Sequence, residues 1–95
     1  MGEGEDSAEL RQERINLKNI YVLQSLKDAR RYYIGSTDHL SQRIVEHNAG
    51  NSIHTAKHRP WRLIVSVHFD DSLKAFAFER YLKTGSGRAF AKRHF

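Results

Sequence analysis

Three runs of hydrophobic residues alternate along the chain with longer polar stretches. Residues 19–24 and 32–35 are rich in β-branched and aromatic side chains, and such runs favour β-strands. The polar residues 25–31 between them predict a hairpin connection, in which the two strands pair antiparallel. This pairing would hold Tyr21 and Tyr33 near each other on neighbouring strands.

Polar residues with helical spacing follow the second run. Gly35 is expected to end the second strand, and Thr37 or Asp38 is predicted as the N-cap of a helix over residues 40–49. Gly50 is the predicted stop of this helix, because glycine is the usual residue just beyond a helix C-terminus.

The second half of the chain predicts one strand and two helices. Residues 61–69 give the clearest strand pattern, because apolar and polar positions alternate. A second helix is predicted to begin within residues 70–72 and to end within residues 83–84. Residues 85–87, Gly-Ser-Gly, should break the chain before a short basic helix over residues 88–94. The order β-β-α-β-α-α predicts an α/β (α+β) fold, in which a small three-stranded sheet is flanked by helices.

The distribution of charge separates an acidic N-terminal segment from a basic body. Residues 1–14 contain five acidic and two basic side chains, so the rest of the chain contains 14 basic and 6 acidic side chains, a net charge of +8. Residues 1–17 are therefore predicted as a flexible acidic tail and residues 18–95 as the folded domain. A basic domain favours nucleic acid as a partner, whereas a surface evolved for solubility is the plainer alternative.

Several classes of protein are excluded by what the sequence lacks. It contains no cysteine, which excludes disulfides, thiolate nucleophiles and thiolate zinc sites. No apolar run approaches the roughly 20 residues of a membrane-spanning helix, and no basic amphipathic helix has a large apolar face. The acidic N-terminus does not resemble a signal peptide. We therefore expect a cytoplasmic protein that does not bind membranes.

Glu79 is the most informative single residue for chemistry. It falls between Ala75 and Leu82 on the apolar stripe of the second predicted helix. A carboxylate there is costly to bury unless it is paired, hydrogen-bonded or bound to a metal. A metal ligand and a structural ion pair with a nearby Arg or Lys both account for Glu79, and helical spacing does not decide between them.

Two further pairs of side chains are candidates for catalysis. Arg43 and His47 lie four residues apart on the first predicted helix and should project side by side. Arginine binds phosphate oxygens and histidine transfers protons near neutral pH, although a surface arginine beside a half-buried histidine is the plainer interpretation. Tyr21 and Tyr33 are either ordinary strand aromatics or, with a pKa lowered by cations or a metal, proton-transfer groups.

A basic loop precedes the third predicted strand and carries His54, Lys57, His58 and Arg59. The two histidines stand four residues apart, as zinc ligands on a helix often do. A zinc site would need that helix and two further ligands, and the sequence around them shows neither. Contacts to phosphate groups are therefore the predicted role of this loop.

An ordered set of motifs runs through these candidates: Asn-Ile-Tyr at residues 19–21, Tyr-Ile-Gly at residues 33–35, and then Arg43, His47 and Glu79. With these spacings the chain resembles the GIY-YIG nuclease superfamily. Three short stretches add to the resemblance, at residues 46–50, 58–61 and 81–88. The likeness is greatest to small stand-alone bacterial members of the excinuclease-like branch, and it covers the chain from about residue 19 to the end.

The resemblance implies a three-stranded antiparallel sheet and a divalent-metal endonuclease that hydrolyses DNA, with repair or recombination as its expected setting. One of Tyr21 and Tyr33 would help to deprotonate the attacking water. Arg43 would stabilise the pentavalent phosphate, and His47 would assist proton transfer or contact phosphate. Glu79 would hold a single Mg²⁺ or Mn²⁺. The expected substrate is DNA rather than RNA, and the expected oligomeric state is a monomer or a weak homodimer.

Three departures from the family pattern concern the same site. Asn19 stands where the first motif has its glycine, Ser36 replaces a frequent basic residue, and no asparagine follows Asn51. Arg88 or Ser86 is expected to fill the space of the late asparagine, and Arg88 is also expected to contact nucleic acid. The alternative to a nuclease is a catalytically weak or inactive nucleic-acid-binding module with the same fold and basic face.

Overall fold

The computed structural model describes residues 17–95, so the predicted acidic tail lies outside the described residues apart from Leu17. The described chain has the predicted order of elements. None of the helices in this part of the chain is long and apolar enough to cross a membrane. The elements are β1 (Asn19–Ser25), β2 (Tyr32–Thr37), α1 (Leu40–Asn48), a 3₁₀ turn (Ala56–His58), β3 (Trp61–His68), α2 (Ser72–Leu82) and α3 (Gly85–His94).

A single antiparallel sheet forms the centre of the described fold, with the strand order β2-β1-β3. The predicted three-stranded α/β (α+β) architecture is therefore confirmed. The register places Tyr21 opposite Gly35 and Leu23 opposite Tyr33. Tyr21 and Tyr33 consequently share one face of the sheet, with their ring centroids 6.2 Å apart.

Alternation along β1 divides the apolar core between the two faces of the sheet. Ile20 and Val22 pack against Ala75 and Leu82 of α2. The opposite face carries a second cluster that α1 covers, formed by Tyr21, Leu23, Trp61, Tyr33, Leu40 and Ile44. Helices therefore cover both faces of the central strand.

β3 contains a bulge that the alternating pattern does not indicate. Val22 lies opposite Val65, but the next residue of β1, Leu23, lies opposite Leu63, so Ile64 is an additional residue on β3. Ile64 and Val65 consequently both pack against the core beneath α2. A strictly alternating strand would point one of these neighbours to the other face.

Gly35 does not end the second strand, because β2 continues to Thr37. The missing side chain allows close packing instead, since a Cβ atom at Gly35 would lie 2.5 Å from Oη of Tyr21. The N-cap of α1 is His39 rather than Thr37 or Asp38. Thr37 still supports this helix start, because its Oγ1 accepts a hydrogen bond from the His39 amide at 2.9 Å.

α3 begins at Gly85, so the predicted break at residues 85–87 is wrong. Thr84 is the N-cap, and its hydroxyl accepts a hydrogen bond from the Gly87 amide at 3.1 Å. Gly87 packs on the backbone of α2, where a Cβ atom would overlap the carbonyl of Tyr81. The glycine-rich segment therefore lets α3 start close against α2.

Candidate active site

A cleft of about 540 Å³ lies beside β2, which is an edge strand, and receives side chains from α1 and α2. Among its lining residues are four of the five side chains predicted for catalysis or metal binding, and the fifth, His47, is buried next to Tyr21. The structure therefore brings all five together. The lining consists of Leu17, Tyr21, Tyr33, Gly35, Ser36, Arg43, His54, Glu79 and Lys83.

Tyr21, His47 and Thr55 form a continuous chain of hydrogen bonds. Oη of Tyr21 lies 2.8 Å from Nε2 of His47, and Nδ1 of His47 lies 2.7 Å from Oγ1 of Thr55. The Thr55 hydroxyl donates in turn to the Ser52 carbonyl at 3.5 Å. It therefore accepts from Nδ1–H of His47, which assigns Nε2 as the acceptor for the Tyr21 hydroxyl.

Burial keeps the two ionisable side chains of this hydrogen-bond network, Tyr21 and His47, neutral. Burial, and to a smaller extent the nearby Tyr33, raises the pKa of Tyr21 well above its usual range, and the positive charge of Arg43 offsets this only in part. Burial, followed by the charge of Arg43, lowers the pKa of His47. At neutral pH Tyr21 holds its proton, and Nε2 of His47 accepts the hydrogen bond that the Tyr21 hydroxyl donates. Neighbouring protein cations alone do not give Tyr21 the lowered pKa of a phenolate base.

The loop after α1 holds Thr55 against His47. α1 ends before Gly50, the predicted stop, which has a φ of 84°. At the start of β3, the indole Nε1 of Trp61 donates to the Thr55 carbonyl at 2.8 Å, and the Trp61 amide donates to Oδ1 of Asn48 at 2.6 Å. These bonds fasten the loop to both the end of α1 and the start of β3.

Arg43 enters the cleft from α1, one helical turn before His47. Its NH1 donates to Oε1 of Glu46 at 2.7 Å, and this hydrogen bond lowers the pKa of Glu46. The Arg43 side chain is 34% exposed. A guanidinium has five N–H donors, so an Arg43 that binds Glu46 retains donors for a phosphate oxygen in the cleft.

Glu79 projects from α2 into the cleft wall and is only 3% exposed. Lys83, one turn later, donates to Oε2 of Glu79 at 3.0 Å. A glutamate followed by a lysine at the fourth position is the favourable order for such a helical pair. The ion pair considered as a structural explanation is therefore present, yet the same carboxylate lines the cleft that contains Tyr21 and Tyr33.

The cleft suits a divalent cation that needs few protein ligands. Within residues 17–95, no group of three or more His, Asp or Glu side chains lies close enough to hold a metal. Mg²⁺ does not need such a group, because it keeps several waters and binds one or two carboxylates together with substrate phosphates. The single buried carboxylate of Glu79 fits this requirement.

The residues predicted to contact nucleic acid differ in whether they reach the cleft. His54 lines the cleft. Lys57 and His58 belong to the 3₁₀ turn before β3. There, the Lys57 carbonyl accepts from Nζ of Lys27 at 3.4 Å, and the His58 carbonyl accepts from Oγ of Ser25 at 2.5 Å. These contacts tie the turn to the end of the first strand and leave its basic side chains outside the cleft lining.

Arg59 and Arg88 also lie outside the cleft lining. The guanidinium of Arg59 packs against Gly50, where an added Cβ would overlap it. Arg88, on α3, borders a separate groove. Arg88 or Ser86 was expected to fill the space of the late asparagine, and neither is among the described residues that line the cleft. In the described chain, the cation that reaches the cleft from the C-terminal third is Lys83.

The sequence did not reveal Thr55 and Lys83 as members of the site. Lys83 has a usable signal, because it follows Glu79 by four residues within one helical pattern. Thr55 has none. It lies in the loop between α1 and β3, and its bond to His47 depends on how that loop returns to the sheet.

The fold and the cleft agree with a comparison of the chain with known protein families. The GIY-YIG catalytic domain matches residues 17–93, and the chain therefore belongs to the GIY-YIG family. The predicted superfamily is thus confirmed. No solved structure gives a significant match.

Two curated fungal proteins are similar to the chain. One is the "Structure-specific endonuclease subunit SLX1" of Candida dubliniensis, 37% identical over 82 residues, which cover 79% of this chain and 27% of that protein. The other is the "Structure-specific endonuclease subunit slx1" of Aspergillus niger, 38% identical over 65 residues, which cover 62% of this chain and 15% of that protein. The chain spans less than a third of either relative. The expected likeness to bacterial, excinuclease-like members stays a prediction.

Proposed function

We propose that the protein is a divalent-metal-dependent endonuclease that hydrolyses phosphodiester bonds of DNA. The observation that carries this proposal is the convergence of Tyr21, Tyr33, Arg43 and Glu79 on one cleft, with His47 hydrogen-bonded to Tyr21. Membership of the GIY-YIG family supports it, and so does the basic body of the chain, since a DNA substrate is a polyanion.

Tyr21 and His47 are proposed to remove the proton of the attacking water together. As the water oxygen bonds to phosphorus, its proton passes to Oη of Tyr21 while Tyr21 gives its own proton to Nε2 of His47. The bond from phosphorus to the leaving oxygen breaks, and solvent supplies the proton which that oxygen takes up. Tyr21 stays neutral throughout, in keeping with its raised pKa.

Three side chains are proposed to position the proton relay and the phosphate. The ring of Tyr33 packs against the His47 ring with a centroid separation of 4.8 Å, which restricts the imidazole to the plane that faces Tyr21. Arg43 donates hydrogen bonds to the non-bridging phosphate oxygens. Thr55 holds the tautomer of His47 that leaves Nε2 as an acceptor.

Glu79 is the proposed protein ligand of one Mg²⁺ or Mn²⁺ ion. When bound, such an ion polarises the scissile phosphate and stabilises the charge that develops on the leaving oxygen. A carboxylate has about four lone-pair sites, so a hydrogen bond from Lys83 does not prevent Glu79 from binding a cation. Lys83 also adds a positive charge to the wall that faces the substrate.

Branched DNA is the proposed substrate, with repair or recombination as its setting. The two curated relatives are both named as subunits of structure-specific endonucleases, and this chain matches only part of each. We expect the domain to supply the cleavage site for such a substrate. Because both relatives are named as subunits, we also expect a partner protein in the active assembly.

A non-catalytic nucleic-acid-binding module is the second candidate. One observation favours it: the carboxylate proposed to bind the metal already accepts a hydrogen bond from Lys83. If this ion pair does not open to a cation, Arg43 and Lys83 still give the cleft a positive wall that holds phosphate without cleaving it.

Cleavage of supercoiled plasmid and of a DNA flap distinguishes the two candidates. The wild-type protein should cleave with Mg²⁺ or Mn²⁺ and should not cleave with EDTA. Glu79→Gln keeps the size of the side chain but not its charge, and it should lose about 10²- to 10³-fold in rate. Asp70→Asn, at an exposed acid just before α2, removes the same charge outside the cleft and should keep the wild-type rate.

Equal cleavage by the wild type and Glu79→Gln would contradict the metal-ligand role of Glu79. DNA binding without cleavage under every metal condition would establish the binding module instead.

A further inference from the structure

A second groove lies on the face of the sheet opposite the Tyr21 cluster, between the ends of the strands and α3. Its volume is about 870 Å³. Its described lining includes five cationic side chains and no Asp or Glu, and it shares no described residue with the candidate active site. The five cations are Arg30, Arg31, Arg62, Arg88 and Lys92.

Three of these cations are available to an anionic ligand. Arg30 and Arg31 lie within 3.1 and 3.6 Å of the Asp28 carboxylate, which offsets part of their charge. Arg62, Arg88 and Lys92 form no ion pair within the described part of the chain. Positive charge therefore remains on β3 at one side of the groove and on α3 at the other.

An ordered row of side chains crosses the sheet in this groove. Gln24 of β1 pairs with Tyr32 of β2 and with Arg62 of β3. The Gln24 amide donates to Oη of Tyr32 at 3.1 Å and accepts from NH2 of Arg62 at 2.7 Å. An aromatic ring and a guanidinium are thus held in fixed positions, while Tyr32 is 58% exposed.

The floor of the groove is apolar, because Val22, Ile34 and Ile64 line it beneath the row. This combination discriminates between anionic ligands. A DNA duplex presents phosphates outward and keeps its base faces stacked inside, so it offers no exposed base face to contact an apolar floor. An unpaired strand presents both an anionic backbone and exposed base faces, and proteins bind it with cationic walls and aromatic platforms.

We propose that this groove binds an unpaired segment of nucleic acid. A base stacks on Tyr32, and the adjoining phosphates contact Arg62, Arg88 and Lys92. The inference rests on the proposed function, since both require a nucleic-acid ligand. It adds to that function a second contact surface on the other face of the sheet. This surface would hold the single-stranded arm of a branched substrate while the scissile phosphodiester bond lies in the cleft.

Binding of a labelled oligo(dT) of about 12 nucleotides tests the proposal by fluorescence anisotropy in EDTA, where no cleavage occurs. Tyr32→Leu removes the ring, and its dissociation constant should rise at least about fivefold, in line with the loss of one stacked base. Tyr32→Phe keeps the ring and should stay within about twofold of the wild type. Tyr32 is largely exposed, so both variants should fold, and their melting temperatures check this.

The salt dependence of binding tests the cationic walls. The double variant Arg62→Ala/Arg88→Ala should lower the magnitude of the slope of log K against log salt by about 1.4, because each phosphate contact on a single strand contributes about 0.7. Lys74→Ala/Arg93→Ala removes two exposed charges outside the groove and should leave the slope unchanged.

Three results would overturn the proposal: no measurable binding of oligo(dT), equal affinity of Tyr32→Leu and the wild type, or equally effective competition by poly-glutamate. The last would show that the groove takes any polyanion. Failure of the nuclease proposal looks different, because it appears as absent plasmid cleavage with Mg²⁺ or Mn²⁺ and leaves the EDTA measurements unaffected.

Discussion

Tyr21 and His47 are almost completely shielded from solvent, at 1% and 0% exposure, and each has a hydrogen-bond partner for its polar atoms. An isolated tyrosine in such a place could not lose a proton at neutral pH, and burial raises its pKa further. The adjacent neutral imidazole changes this, because a proton received by Tyr21 is matched by one released to His47. The pair can therefore accept the proton of the attacking water, which neither residue would do alone.

The pH dependence of cleavage should follow His47. Its pKa is lowered from 6.5, so the neutral, proton-accepting form prevails at pH 7. As the pH falls through this lowered pKa, Nε2 becomes protonated and the log of the single-turnover rate should decrease with a slope of one. His47→Asn should lose this acid limb and about 10²- to 10⁴-fold in rate.

His39→Asn is the matched control for the pH profile, because His39 is an exposed histidine at the N-cap of α1, where asparagine is well tolerated. It should keep both the rate and the acid limb. An acid limb that persists in His47→Asn would contradict the assignment of His47 as the proton acceptor.

Thr55 should act by positioning His47 rather than by contacting substrate. Thr55→Val has the same shape but cannot accept from Nδ1–H, so a buried donor is left without its partner. The free energy of unfolding should decrease by about 1–3 kcal/mol in urea titrations. The cleavage rate should fall, and the apparent pKa of the acid limb should shift, because the imidazole loses its fixed tautomer.

Thr55→Ser keeps the hydroxyl and should restore both the rate and the pH profile. If Thr55→Val only lowers stability and leaves the pH profile unchanged, Thr55 has a structural role alone.

At the scale of elements, the site depends on how closely β1 and β2 pack at Tyr21 and Gly35. Periodicity was sufficient to predict the strands, α1 and α2, because those features follow from local patterns. It failed where contacts between elements determine the role of a residue. Gly35 resembles a strand end but makes room for a tyrosine ring, and the Gly-Ser-Gly segment resembles a break but starts a helix that Thr84 caps.

Gly35→Ala should displace the Tyr21 ring, because the new Cβ would lie 2.5 Å from Oη. We expect a loss of about 1–3 kcal/mol in the free energy of unfolding, together with a large loss of cleavage. Gly85→Ala is the matched control, since a Cβ there meets no atom of the described chain within 4 Å. At the first position of α3, alanine should preserve stability or increase it slightly. Equal melting temperatures for the two variants would contradict this account of Gly35.

At the scale of the whole molecule, the sheet carries cationic side chains beside both of its faces, in the candidate active site and in the groove beneath α3. The sequence predicted a basic body but not this division. Arg88 was expected beside the catalytic residues and lies in the groove, whereas Lys83 lies in the cleft. Net charge depends on composition alone, but the surface that each cation joins depends on how α2 and α3 pack.

The central claim is that the hydroxyl of Tyr21 relays the proton of the attacking water to His47. The single-turnover cleavage rate of Tyr21→Phe on a DNA flap with Mg²⁺ tests this claim most directly, because the variant keeps the buried ring and removes only the hydroxyl. Its rate should fall by at least about 100-fold, with DNA affinity close to that of the wild type. The free energy of unfolding should decrease by about 1–3 kcal/mol, because Nε2 of the buried His47 loses its partner. A rate within a few-fold of the wild type would contradict the relay.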